Sequence, residues 1–538
     1  MISRISVLIV LLFGLLAIVD LLHPGFAVTH DGQDHIARIA NFYQNLSEGI
    51  LIPRWAENLN WGYGHPILEF LYPFPSYVAS LLHFFGFSFV ESTKLVFAIA
   101  MIASGVGMYL FAQKQWGYTS GIVSGILYMY APYRFVDLYV RGDIGEHVAF
   151  VFIPLALLGM YLVFEKKTLS RFIFASISVA LLILSHNAIA LMVTPLLIIY
   201  MLYLIWLDTW KRKTMIWLFG SIFFGFLLSS FFWVPALLEG QYTLRNIVTK
   251  GEYASRFVDF SQLFYGKWSY GTPSMQLGIV YWIVLVASIV LLLRFWKKEK
   301  VKRVFLGGLI LYTAAAIFLM LPYAQFIWQK VMLLQNFQFP WRFLAVPVVT
   351  ISLLGGFCVA QISGVKKYVV VVSLCCILLF LSREYFHAKS YAEKPESFFT
   401  GIYNSTTDTG ESAPVWSVRF MLGRFDKPLE PISGNALVTQ EKRFVTMHSY
   451  IVSSQGESRL LENTLYFPGW RVTVDGKQVG VEFQDPMYRG LMTFLVPDGT
   501  HTVSVAYQES KFRLFGDILS LIGIGGLLFL FLLKRFSK

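Results

Sequence analysis

"THDGQDHIARIANFYQNLSEGILIPRW", residues 29–55, follows directly on the apolar run "ISVLIVLLFGLLAIVDLL". Two aspartates, two histidines and an arginine crowd into its first ten positions. A helix over 33–48 sets Asp34 and Arg38 four residues apart on one face, with Asp31 and His35 one turn earlier. Read alone, the stretch is an amphipathic helix with Asp31 near its N-cap. Its meaning depends on which other charged stretches share its side of a membrane.

That a membrane is involved follows from composition. The chain has 538 residues, 56% hydrophobic and only 14% charged, where a soluble domain carries about a quarter charged. Many apolar runs approach the roughly 20 residues that span a bilayer, so this is a polytopic membrane protein. The net charge of +12 belongs to cytoplasmic loops rich in Lys and Arg rather than to a nucleic-acid site. Cys358, Cys375 and Cys376 all sit inside apolar segments, which leaves no disulfide framework. The first apolar run is long for a signal sequence and reads as an uncleaved first helix.

Positive clusters fix the expected topology. "EKKTLSR" (165–171), "KRK" (211–213), "KKEKVKR" (297–303), "VKK" (365–367) and "KRFSK" (534–538) are assigned to the cytoplasm. Threading the apolar runs between them gives about 12 spans, both termini cytoplasmic, in a plasma membrane. Residues 384–512 then lie outside. The opening stretch and "RGDIGEHVAF" (141–150) share the outer face only if one of three intervening apolar runs does not cross. The run at 67–86 carries Glu69, Pro73 and Pro75 and is expected to be interfacial or re-entrant.

The outer segment changes character. "RFVTMHSYIV", "SRLLENTLYF", "WRVTVDGKQVG", "GLMTFLV" and "THTVSVAY" read as strands, and Asp475-Gly476 is a two-residue hairpin turn. The expected fold is an α-helical membrane core, residues 1–383, whose first outer loop spans 23–92. An extracytoplasmic β-sandwich of jelly-roll type over 384–512 follows, then a last helix with a basic tail over 513–538.

Three charged clusters come to one face: Asp31 to Arg38; Arg141, Asp143, Glu146 and His147; and Gln335, Gln338 and Arg342 in "LQNFQFPWRF". Ionisable groups at membrane depth are costly and mark functional cavities. A carboxylate takes a proton from an incoming hydroxyl as general base. Arginine and histidine hold a phosphate and neutralise its growing charge. A lipid-linked phosphate sugar fits both, and one base with direct displacement inverts the anomeric carbon.

The pattern "DGQDHIARIANFYQNLSEGILIPRW…GYGHPILEFLYPFPSYV" resembles the first outer loop of GT-C glycosyltransferases. On that resemblance Asp31 corresponds to the catalytic aspartate, Pro53-Arg54 to a turn, and 67–86 to an interfacial helix. The whole chain resembles the YfhO-like membrane family, also described as 6-pyruvoyl-tetrahydropterin synthase-related. The resemblance rests on "DGQDHIARI", "PRW", "GYGHP", "RGDIGEHVAF", "SHN", "PALLEGQY", "QFPWRF", "TDTGESAPVW" and "YFPGWRVTVDGKQV". The synthase itself needs zinc-binding histidines, and no such spacing occurs here. The family implies glycosylation of a cell-envelope acceptor from a polyprenyl-phosphate sugar, with membrane lipid as the medium and no nucleic acid involved.

The resulting assignment makes Asp31 the favoured base, with Asp34 as its support or replacement. Arg54, Arg141, His147 and Arg342 are assigned to donor phosphate. His35, Arg38, Tyr63, Glu146, His186, Asn187, Glu239 and Gln338 are assigned to sugar or acceptor. Gly32 stands where many members of the superfamily place a second acidic residue; Asp34, Asp143 or Glu146 could fill that role. Some members hold a divalent metal, Mg or Mn, with such carboxylates, and the sequence leaves this open. Two rivals remain, a flippase for lipid-linked sugars and a non-catalytic envelope scaffold.

Overall fold

A computed structural model describes residues 2–268 and 271–536. Among them, seven helices are long and apolar enough to cross a membrane. The Arg212–Leu228 helix and the 230–242 segment, bent 68° apart, make an eighth if they count as one span. Three further apolar helices, 4–17, 169–185 and 279–295, have 17 residues or fewer. The expected dozen is therefore reached only by including short or broken helices. The run at 118–137 shows why: its helix stops at Met129, and Pro132 starts a new turn that passes into a wide π-type helix, Val136–Arg141. Such wide turns occur frequently at functional sites. Ser537 and Lys538 of the basic C-terminal run lie outside the described residues.

The run at 67–86 is broken into short pieces, as its prolines predict. Residues 67–86 form a short turn, Ile67–Phe70, and an 11-residue helix, Phe74–Phe84, separated by Pro73. At 1.5 Å per residue the longer piece reaches roughly 16 Å, half the hydrocarbon thickness. Between it and Arg141 only Phe89–Trp116 and Tyr118–Met129 intervene. The chain thus returns to the end it left, where the Asp31 amide donates to the Arg141 carbonyl at 2.8 Å.

The C-terminal domain is antiparallel β, as the strand pattern predicts. Besides a small pair, β1 (Phe26–Ala27) with β2 (Tyr391–Ala392), the strands form one six-stranded antiparallel sheet. Its members are β3 (Leu429–Phe444), β4 (Met447–Leu465), β5 (Trp470–Val474), β6 (Lys477–Val479), β7 (Leu491–Val496) and β8 (Gly499–Tyr507), in the order β3-β4-β8-β5-β6 with β7 also on β4. One long strand serves two neighbours: residues 447–454 of β4 face β8 and 458–465 face β7, with Gly456 at φ 81° between them. The sequence run "RFVTMHSYIV" is not one strand, because a turn at Val445-Thr446 separates β3 from β4. Asp475 and Gly476, both at positive φ, close the β5–β6 hairpin as the sequence predicts.

Buried charges fasten this sheet to the core. Glu57, on the loop after the opening helix, lies 2.7 Å from Arg443 and 3.3 Å from Nε2 of His448. Nδ1 of His448 lies 2.9 Å from Glu462. On the other flank, Arg513 at the start of the Lys511–Phe536 helix pairs with Glu69 at 2.9 Å and Glu239 at 2.7 Å.

Candidate functional site

The opening helix runs Gly32–Ser47, with Asp31 in the N-cap position. Its carboxylate does not cap; the Gly32 amide donates instead to Thr29 Oγ1 at 3.0 Å. This releases the Asp31 side chain toward a cavity of about 440 Å³. The cavity lies where the opening helix, the π-type turn, the start of the Asn187–Leu207 helix and the 336–342 segment converge.

Of the residues expected at the site, Asp31, His35, Arg38, Arg141, His186, Asn187, Gln338 and Arg342 line this cavity, as does Asp143. Their partners differ, and the differences sort their chemistry. Asp143 is held by Arg141 at 2.7 Å. Arg38 donates to the Thr407 carbonyl at 2.6 Å. Gln338 donates to Glu411 and carries a left-handed backbone, φ 61°, as does Thr407 at φ 64°. Two strained non-glycine residues at one cavity mark a held geometry. Asp31 has neither a hydrogen bond nor an ion pair on its carboxylate among the described residues. Burial pushes its carboxyl above the ordinary value and the Asp143 charge adds to this, while Arg141, Arg38 and Arg342 oppose it. Burial, reinforced by Arg38, holds the His35 imidazole well below its usual range, so it is neutral.

Other expected residues are engaged elsewhere. Asp34 accepts from the Tyr403 hydroxyl at 2.8 Å and does not line the cavity. Arg54 is pinned by Asp517 at 2.7 Å, Glu509 at 3.3 Å and the Phe231 carbonyl at 3.2 Å, which uses up the charge assigned to phosphate. His147 is buried with its ring against Phe97. Tyr63 faces Phe425, and Glu239 is neutralised by Arg513. Glu146 is fully buried behind the cavity wall, 2.9 Å from Arg141 and 3.1 Å from Arg342.

Sequence reasoning missed part of the lining. Arg245 and Arg256 approach from the 239–256 loop region, and Asp408 and Glu411 from a strap at 405–415. The strap is tied down by Arg38, by Gln338, and by a bridge between Thr243 and Pro414. Its motif "TDTGESAPVW" was visible; that it folds back over residues some 370 positions earlier was not. Asp408 accepts from the Gly410 and Ser412 amides at 2.9 and 3.0 Å, so its carboxylate shapes the strap. Arg245 has no side-chain hydrogen bond or ion pair among the described residues. It also borders a second cavity of about 500 Å³, lined mainly by Ile183, Leu191, Phe226, Trp233 and Leu237. The two cavities share Asn187, Ala188, Arg245 and Asn336.

Asp143, Glu146 and His186 place ligand-type atoms within 4.8 Å of one another. A divalent cation does not fit them as they stand. Asp143 Oδ2 and Glu146 Oε2 face Arg141, Glu146 Oε1 faces Arg342, and Asp143 Oδ1 accepts from the Glu146 amide at 3.0 Å.

Comparison with known proteins places this geometry in context. An uncharacterized protein of Lactococcus lactis subsp. cremoris (strain MG1363) is 24% identical over 304 residues, 53% of this chain and 49% of that protein. The chain thus spans about half the length of this curated relative. Among solved structures, the arabinofuranosyltransferase AftD from Mycobacteria aligns with a TM-score of 0.46 at 14% identity, covering 71% of this chain and 26% of that one. ArnT from Cupriavidus metallidurans, bound to undecaprenyl phosphate, gives 0.39 at 13% identity, covering 74% and 67%. The oligosaccharyltransferase of Archaeoglobus fulgidus gives 0.44 at 14%, covering 72% and 55%. The model of the 6-pyruvoyl-tetrahydropterin synthase related domain, a membrane protein domain, matches residues 68–388, more than half of the sequence. The chain therefore belongs to the 6-pyruvoyl-tetrahydropterin synthase-related family of membrane proteins.

Proposed function

We propose that this protein is a GT-C-type membrane glycosyltransferase. It moves a sugar from a polyprenyl-phosphate donor to a cell-envelope acceptor on the outer face of the plasma membrane. The observation that carries the reading is the Asp31 carboxylate: cavity-facing, without a bonded partner and raised in pKa by burial. A general base needs those properties, since a carboxylate already saturated by donors has little basicity left.

The chemistry follows from the residues around it. Asp31 takes the proton of an acceptor hydroxyl as its oxygen attacks the anomeric carbon. The bond from that carbon to the phosphate oxygen breaks, and the electron pair leaves with the polyprenyl phosphate. Phosphate needs no separate acid, and the single displacement inverts the centre. Arg245 and the Nη groups of Arg342 supply the charge that stabilises the departing phosphate. The apolar cavity joined to the polar one at Arg245 suits a lipid chain whose charged head lies beyond that junction.

The test is transfer by the full-length protein reconstituted in liposomes with radiolabelled polyprenyl-phosphate sugar and crude envelope acceptor. Transfer is expected from wild type and lost in Asp31→Asn. Transfer that survives Asp31→Asn removes the base assignment. Donor crossing between leaflets without transfer identifies a flippase instead.

A further inference from the structure

A cluster in the cavity wall has an unusual occupant. Asp143, Glu146 and His186 are a donor set of the kind that holds a divalent ion, yet a guanidinium lies among them. Arg141 Nη1 is 2.6 Å from Asp137 and 2.9 Å from Glu146, and Nη2 is 2.7 Å from Asp143. The guanidinium carbon lies 4.9 Å from the Trp341 ring centroid, which fixes its plane from one side. All four oxygens of Asp143 and Glu146 already face donors, counting Tyr133 OH at 2.7 Å from Glu146 Oε2 and Arg342 at 3.1 Å from Oε1.

The imidazole argues the same way. His186 caps its helix by accepting the Ile189 amide on Nδ1 at 3.1 Å. An acceptor Nδ1 puts the proton of the neutral ring on Nε2. That N–H faces Asp143 Oδ2 at 4.0 Å. A metal ligand must present a lone pair there, so the capping bond and metal binding by Nε2 are mutually exclusive in the neutral ring.

We propose that Arg141 is the resident cation of this site, standing where a divalent metal would bridge Asp143, Glu146 and His186, so that the site works without a divalent metal. A metal entering would have to strip the guanidinium of the Asp143 and Glu146 carboxylates and leave its buried charge with Asp137 alone. The proposal concerns what occupies the cluster and stands independently of the transfer reaction.

The experiment is Mn²⁺ titration of the purified full-length protein in detergent, read by the electron paramagnetic resonance signal of free Mn²⁺. Wild type should leave that signal undiminished through millimolar Mn²⁺. Arg141→Met should take up one equivalent, and Arg141→Met combined with Asp143→Asn should lose it again. One equivalent bound by wild type and lost in Asp143→Asn or His186→Gln overturns the proposal. So does a folded Arg141→Met that binds none. Arg342→Met, which leaves Arg141 in place, guards against a misfolded Arg141 variant: it should bind none, and uptake of one equivalent by it overturns the assignment of Arg141.

Discussion

Arg443 on β3 reaches 2.7 Å from the Glu57 carboxylate on the first loop, and that carboxylate also accepts from the Trp55 indole N–H at 3.0 Å. One carboxylate thus orders the loop beneath it and docks the sheet domain above. Glu57→Gln should cost about 3–5 kcal/mol, because it leaves Arg443 and His448 buried without their full counter-charge. Thermal unfolding in detergent measures the loss, and a change of less than about 1 kcal/mol would refute the docking role.

The same cluster makes the dock sensitive to alkali. Glu57 and Glu462 raise the His448 pKa to about 9 against the burial that lowers it. A histidine with a folded value above its ordinary 6.5 contributes fully below pH 6.5, and the contribution fades as pH rises through 9. It amounts to roughly 3 kcal/mol at 1.36 kcal/mol per pH unit. Melting temperature followed from pH 6 to pH 10 should fall in wild type, and His448→Gln should flatten the fall.

Asp31→Asn should lower transfer about 10²–10⁴-fold with little change in stability, the range for loss of a general base. Asp34→Asn and Tyr403→Phe, which disturb a Gln33–Tyr403–Asp34 chain of hydrogen bonds outside the cavity lining, should each stay within about tenfold. Steady-state rates of the three variants decide between the two aspartates.

Gly142 sits at φ 69° against the loop that presents Asp31. A Cβ there would come 2.2 Å from Thr29 Oγ1, the atom that caps the opening helix in place of Asp31. Gly142→Ala should therefore cost about 1–2 kcal/mol in backbone strain alone and lower kcat more than it alters donor KM. A KM effect alone would place Gly142 with binding rather than with the base.

Arg245→Ala should raise the KM for lipid-linked donor by about 10–100-fold, the worth of one hydrogen bond to a charged group. Acceptor KM should hold. A change confined to the acceptor would move the phosphate away from the junction of the two cavities.

Much of this is legible in the sequence. The interfacial break at 67–86 was written in Pro73 and Pro75, and the meeting of Asp31 with Arg141 followed from it. The Asp475-Gly476 hairpin was equally plain. What failed was partner choice. Arg54 and Glu239 read as free cavity charges, but their partners Asp517 and Arg513 are set by packing that no local pattern encodes, whereas Asp137, four residues before Arg141, is a local signal that sequence reasoning missed. Arg245 carried no motif at all; its value comes from lying between two cavities. The strap at 405–415 was quoted for its sequence, yet its place over the opening helix is a long-range contact. The strand order was not legible because one long strand pairs with β8 before Gly456 and with β7 after it.

The strap and the β1–β2 pair also carry a consequence for how the molecule is made. Asp31 is translated within the first tenth of the chain, but its cavity gains a roof only when residues past 400 fold back onto the 32–47 helix. The anchor at Glu69 and Glu239 waits longer still, for Arg513. Until then Glu69 and Glu239 lack their counter-charge and Asp31 is uncovered. The cavity is thus completed late and in two stages, so a chain stopped before residue 405 has the opening helix without its roof.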